Sequence, residues 1–145
     1  MKPINEMKLS FESRSCNESF ARSSVAAFVA VLDPNVEELS DIKTAVSEAV
    51  TNCIVHGYKE KIGTVYINAK IFEGACVKIS IKDKGCGIAD IKKAMEPLYT
   101  SCETGERAGL GFSIMESFMD KIHVRSKPGK GTCVTLEKRI VSKGK

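Results

Sequence analysis

The sequence predicts an α+β fold, a two-layer sandwich in which helices cover one face of a mostly antiparallel sheet. Two observations carry that expectation. Apolar residues recur with helical spacing across residues 17–56, then with strict alternation across 63–83 and 121–140, and these two periods belong to helices and half-buried strands respectively. The strands come in adjacent pairs separated by short glycine-bearing turns, which makes them antiparallel neighbours. With 145 residues, of which 43% are hydrophobic and 28% charged, the chain has the balance of an ordinary globule, and a single domain over 1–145 is expected.

Each element has a local reason. "MKLSFES" alternates apolar and polar and reads as a short strand. "NESFARSSVAAFVAVL" follows as a helix, with Asn17 as its N-cap and Phe20, Val25, Phe28, Val29 and Leu32 on one face. "DPN" at 33–35 breaks it, because the residue before a proline is pushed out of the helical region. A second helix is expected over 36–56, with Gly57 ending it. "GTVYINAKIFEG" and "ACVKISIKD" form a hairpin turning at Glu73 and Gly74. "KGCGIADIKKAME" is a glycine-rich loop leading to a short helix, and "PLYTSCETGERAGLG" has the composition of a mobile loop. "FSIMESFMD" is helical, and "KIHVRS" pairs with "TCVTLEKRI" around "KPGKG". The resulting order is β-α-α-β-β-α-β-β.

Composition narrows the function. The net charge of +4, from 22 basic and 18 acidic residues, is too mild and too dispersed for direct nucleic-acid binding. The basic tail "KRIVSKGK" reads as a solvated end. No apolar run is long enough to span a membrane, and the charged N-terminus lacks the centre of a signal peptide. The six cysteines are scattered without a CxxC pair, so they read as free thiols in a reducing cytoplasm rather than as disulfides or a zinc site.

Three segments carry chemistry. On a wheel of the second helix, Leu39, Ile42, Val46, Ala49, Val50 and Cys53 form the core face, while Asp41, Glu48 and Asn52 fall on an adjoining stripe with His56 at its edge. That stripe is either solvated or the wall of a pocket. In "DKGCGI", Asp83 ends a strand and Gly85 and Gly87 allow a tight turn; a carboxylate there can accept a hydrogen bond from an exocyclic amine while the glycines admit a ring. In "ERAGLGF", Gly109 and Gly111 open a helix, either as a simple turn or as a cradle of amides for phosphate.

An ExxxN helix, then DxGxGI after a strand, then GxG opening a helix, in that order, resembles the GHKL superfamily of ATP-binding domains, with gyrase, the Hsp90 chaperone, histidine kinases and MutL. Over nearly the whole chain, "VAAFVAVLDP", "DIKTAVSEAVTNCIVHGY" and "ERAGLGF" are similar to the sporulation anti-sigma F factor family. The stress-response anti-sigma kinases share the ATP motifs. The resemblance implies a GHKL (Bergerat-type) ATP-binding fold and a protein serine kinase using ATP and Mg2+. It also implies two partners: a sporulation sigma factor held inactive, and an anti-anti-sigma factor phosphorylated on a serine. A homodimer, joined through the N-terminal strand or neighbouring hairpins, is implied as well.

Carried over by position, Asn52 coordinates Mg2+ bridging the ATP phosphates, since an amide oxygen suits a hard cation. Glu48, one turn earlier, takes or orients the proton of the attacking hydroxyl. Asp83 reads the adenine amine, with Gly85 and Gly87 packed near the base; Gly109 and Gly111 present amides to phosphate. Arg107 reaches the γ-phosphate, and Thr100 and Ser101 add lid hydroxyls. His56 is read as capping a helix-end carbonyl rather than as a catalyst. Arg14, Glu18 and Arg22, exposed at the head of the first helix, dock sigma factor and antagonist in competition; as a bare pair, Glu18 and Arg22 at i, i+4 are worth about 0.3–0.5 kcal/mol. Cys86 and Cys102 stand at variable places near the site and predict modest sensitivity to oxidation. The rival readings are a nucleotide-gated binding module without transfer, and an ATP hydrolase of the chaperone or mismatch-repair type, which would need further domains.

Overall fold

The computed structural model describes residues 2–90 and 111–141. Five strands, β1 (Asn5–Glu12), β2 (Thr64–Phe72), β3 (Cys76–Asp83), β4 (Lys121–Lys127) and β5 (Gly131–Arg139), form one sheet in the order β1-β2-β3-β5-β4. Every pairing is antiparallel. Helices α1 (Asn17–Val29), α2 (Val36–Asn52) and α3 (Phe112–Phe118) pack on one face. This is the two-layer α+β sandwich that the two periodicities require.

Alternation fixes which face is covered. Val65, Ile67, Ala69 and Ile71 of β2 and Val77, Ile79 and Ile81 of β3 are buried against Val25, Val29, Ile42, Val46 and Val50 of the helices. Each such valine or isoleucine contributes about 1.5–3 kcal/mol on leaving water, and a slip of one residue in register would turn the set outward. The opposite face carries Lys8, Tyr66, Lys70, Lys78 and Lys82 and is polar.

The first helix differs from expectation in two details. Cys16 occupies the N-cap without a capping bond from its side chain to the helix backbone, while Asn17 is already helical and its amide donates to the Glu12 carbonyl (2.9 Å). Phe20 is half exposed and meets Phe11 edge-on, with centroids 6.3 Å apart; Ala21 takes the core position instead. After Val29 the chain tightens into a 3-10 turn, Ala30–Leu32, ended by Asp33 in the left-handed region.

Helix α2 begins where "DPN" predicts. Asn35 accepts from the Glu38 amide (2.7 Å) and Glu38 accepts from the Asn35 amide (3.1 Å), a reciprocal capping box. The second Glu38 oxygen accepts from the Val141 amide (2.9 Å), so the same buried carboxylate ties the C-terminal strand to the head of α2. At its other end α2 does not continue as α-helix to residue 56. It widens into a π turn, Cys53–Gly57, a local irregularity that often marks a functional site. Gly57 ends the turn without a left-handed conformation, so the reason for glycine there is space, as described next.

Candidate functional site

The π turn brings the end of α2 against the end of β3. Asp83, the last residue of β3, is 4% exposed although it is a carboxylate. A Cβ on Gly57 would lie 2.7 Å from Asp83 Oδ2, and one on Gly85 would overlap the Gly57 carbonyl. Glycine at both places is what lets the two backbones and the carboxylate approach. The loop after Asp83 is pinned by successive amides: Gly85 N–H donates to Asp83 Oδ1 (2.8 Å) and Cys86 N–H to the Gly57 carbonyl (2.9 Å). The Cys86 thiol also points at the His56 carbonyl, 3.1 Å away.

Burial pushes the Asp83 carboxyl above its ordinary range, against the opposing pull of hydrogen bonds from the Gly85 amide, the Cys53 thiol and the Thr132 amide. Burial and then the Asp83 charge raise the Cys53 thiol well above its usual value, so it stands beside the carboxylate as a neutral donor. The arrangement suits a carboxylate that recognises an amine by hydrogen bonding.

Asn52, His56, Asp83, Gly87, Phe112 and Thr132 line a cavity at this junction. At about 30 Å³ it has room for about one water, so a planar base enters only if the lining side chains part. Larger depressions, about 510 and 780 Å³, lie on the open face of the sheet. The smaller cavity is the candidate site, because it joins an apolar wall to a buried carboxylate and an amide, the combination that orients a small polar ligand.

Glu48, one turn before Asn52, lies against the head of α3: a Cβ on Gly111 would overlap Glu48 Oε1. Gly111 has φ 72, a conformation that favours glycine on its own account, and its carbonyl accepts the Met115 amide that opens the helix. Glu48 also borders a groove between α1 and α2 with Glu18, Arg22, Lys43 and Ser47. There Glu18 Oε2 accepts from Ser47 Oγ (2.6 Å) and from Arg22 Nε (2.9 Å). Burial would raise the Glu18 carboxyl, but the Ser47 and Arg22 hydrogen bonds together outweigh it and hold it below the ordinary range.

The fold therefore assembles Glu48, Asn52, Asp83, Gly85, Gly87 and Gly111 around one junction. It corrects the readings of Glu18 and Asp41 and leaves Arg14 exposed, as expected. Glu18 is not an exposed half of a surface pair but a half-buried link from α1 to α2, because Ser47 of α2 supplies a second donor. Arg14 is exposed but bonds back to Glu12 (2.7 Å), outside the α1–α2 groove. Asp41 shares the helical stripe yet faces Lys138 of β5 at 3.7 Å, away from the site. Thr100, Ser101, Cys102, Arg107 and Gly109 lie outside the described residues. No group of His, Cys, Asp and Glu among the described residues could hold a metal ion unaided. The neutral amide of Asn52 fits a hard cation whose remaining ligands come from a bound polyphosphate and water.

The sequence pointed to none of Gly57, Cys53 and Thr132 as parts of the site. Only the excess of glycine at the end of an apolar helix, beside a strand-end acid, hinted at so close an approach.

Residues 11–138 match the histidine kinase-like ATPase domain family. The anti-sigma F factor of Thermoanaerobacter pseudethanolicus is 57% identical over 142 residues, covering 98% of this chain and 99% of its own. That of Clostridium acetobutylicum is 54% identical over 136 residues, 94% of each. The chain belongs to the anti-sigma F factor family. Among solved structures, the RsbU and RsbW domains of a Mycobacterium tuberculosis protein superpose with a TM-score of 0.70 at 19% identity, over 95% of this chain and 32% of that one. The catalytic domain of histidine kinase ThkA gives 0.59 at 16% identity, over 92% and 96%. These likenesses carry the fold, and the residues matched by the family, 11–138, include α2, β3 and α3.

Proposed function

We propose that the chain is an anti-sigma factor and protein serine kinase of the sporulation type, acting as a single domain over residues 1–145. It holds a sigma factor inactive and uses Mg-ATP to phosphorylate a serine of the anti-anti-sigma factor that opposes it. The observation that carries this reading is the placement of Glu48. It touches the head of α3 and borders the α1–α2 groove, one turn from Asn52 on the wall of the Asp83 cavity. A carboxylate between a nucleotide pocket and an open groove is where a partner's hydroxyl can meet a phosphate. The full-length match to proteins named anti-sigma F factors supports the partners.

Asp83 accepts the adenine amine, and the Gly57–Gly85 approach keeps that carboxylate in place. Asn52 offers its amide oxygen to the magnesium, which when bound neutralises phosphate oxygens. Gly109 and Gly111 present backbone amides to the phosphates, Thr100 and Ser101 add hydroxyls, and Arg107 stabilises charge on the γ-phosphoryl group. Glu48 orients the acceptor serine and takes its proton as the serine oxygen bonds to phosphorus and the bond to the β-phosphate bridging oxygen breaks, releasing ADP. Positioning and neutralisation are most of what phosphoryl transfer asks. Glu18 and Arg22, with Arg14 nearer the strand, receive the protein partners. A homodimer forms through the free edge of β1, and the chain works in the cytoplasm. No helix among the described residues is long and apolar enough to cross a membrane.

Incubation with γ-labelled Mg-ATP and the candidate antagonist tests the reading. Label should appear on a serine of the antagonist, and Glu48→Gln should abolish transfer while sparing ATP binding. Label released only as inorganic phosphate would instead make the protein a hydrolase, and no turnover would make it a binding module.

A further inference from the structure

We infer that Tyr58 is a positioning residue for nucleotide discrimination: its hydroxyl fixes the Lys84 amide and so holds the Asp83–Gly87 loop in register with the turn that ends α2. The inference rests on the reading of Asp83 as the adenine acceptor. Tyr58 is the first residue beyond the π turn, and its amide donates to the Cys53 carbonyl (2.9 Å). Its side chain leaves the helix end and spans two strands. The hydroxyl donates to the Thr64 carbonyl (2.6 Å) at the start of β2 and accepts from the Lys84 amide (2.8 Å) just after β3. One phenol thus joins the end of α2, the start of β2 and the residue beside Asp83.

The ring is held as firmly as the hydroxyl. A Cβ on Gly63 would overlap it, so the ring lies directly over the backbone at that glycine. That backbone is anchored in turn: the Gly63 amide donates to Ser13 Oγ (2.9 Å) and its carbonyl accepts from the Ser13 amide (2.9 Å). Burial, the largest influence, raises the phenol above its ordinary pKa, partly countered by the Lys84 amide, so it remains a donor at neutral pH.

The loop that carries the base acceptor is fixed through three consecutive amides. Gly85 turns back on the Asp83 carboxylate and Cys86 on the Gly57 carbonyl. Lys84 alone relies on a side chain from another element. Loss of the hydroxyl leaves the amide of exposed Lys84 and the carbonyl of half-buried Thr64 without that partner, a cost the fold tolerates. The carboxylate, however, sits one residue away, at the strand end from which the loop that has lost an anchor leaves β3. Its aim at an exocyclic amine suffers more than generic contacts to phosphate or sugar.

The experiment is calorimetric titration of the full chain and of Tyr58→Phe with Mg-ATP and with Mg-ITP, in which a carbonyl oxygen replaces the adenine amine. In the unaltered chain ATP should bind more tightly than ITP. Tyr58→Phe should weaken ATP about three- to tenfold, as for one misdirected hydrogen bond to a charged group, and leave ITP nearly unchanged, narrowing the ratio. Equal weakening of both nucleotides, or an unchanged ratio with only a lower Tm, would overturn the inference while leaving the ATP reading intact. Absence of ATP binding by the unaltered chain would overturn both. Should Tyr58→Phe fail to fold, amide exchange in the unaltered chain decides. A Lys84 amide protected as strongly as that of Cys86 supports the anchor, and exchange at the rate of an open loop refutes it.

Discussion

Gly57→Ala tests the packing that shapes the site. Gly57 has no positive φ, so alanine fits the backbone, and on conformational grounds it should stabilise the chain by about 0.4–1 kcal/mol. The new methyl, however, would lie 2.7 Å from Asp83 Oδ2, 2.8 Å from Cγ and 3.0 Å from Oδ1. Those atoms cannot simply swing away, because Oδ1 also accepts the Gly85 amide. Overpacking of this kind costs about 1–3 kcal/mol, so after the conformational gain a net loss of stability of up to about 2.6 kcal/mol is expected. The effect on binding should be larger. A hydrogen bond to a charged group is worth about 1.5–3 kcal/mol, which is roughly ten- to a hundredfold in Kd. Chemical denaturation and ATP calorimetry on the same preparations separate the two effects. Unchanged ATP affinity in a folded Gly57→Ala chain would refute the claim that this approach sets the Asp83 carboxylate for the base.

Other consequences follow from the same contacts. Gly85→Ala should be more damaging than Gly57→Ala, since its methyl meets the Gly57 carbonyl, backbone against backbone, and circular dichroism melts of the two variants compare them. Glu38→Ala removes both the capping box and the Val141 tie and should cost about 1–3 kcal/mol in urea unfolding. The folded-state pKa of Glu18 is depressed, so its stabilisation is present above the unfolded-state value and is lost as pH falls through the folded one. The stability of Glu18→Gln should therefore fall less than that of the unaltered chain as the pH is lowered from about 5 through the carboxylate range, measured by urea midpoints at each pH.

Much of this was legible in the sequence because it depended on period and order. The alternation of β2 and β3, the "DPN" break and the glycine turns each follow from local chemistry, and Glu48, Asn52 and Asp83 were marked by their spacing. What was hidden depended on distance between elements. Phe20 obeys the helical spacing but lies on the flank, where Phe11 shields it only in part. Asp41 shares a stripe with Glu48, yet α2 is long enough that the stripe passes from Lys138 at one end to the site at the other. The π turn has no sequence signature, and it is this turn that carries Gly57 onto Asp83. Likewise, the Glu18–Ser47 bond joins residues 29 apart in the chain, which no helical wheel displays.

The account stands on the junction of α2, β3 and α3 being a nucleotide site. Titration of ATP into the intact chain, with and without magnesium, tests it most directly. Saturable binding, tightened by magnesium and weakened in Asp83→Asn, is the predicted result. Heats indistinguishable from dilution at every magnesium and salt concentration would contradict it.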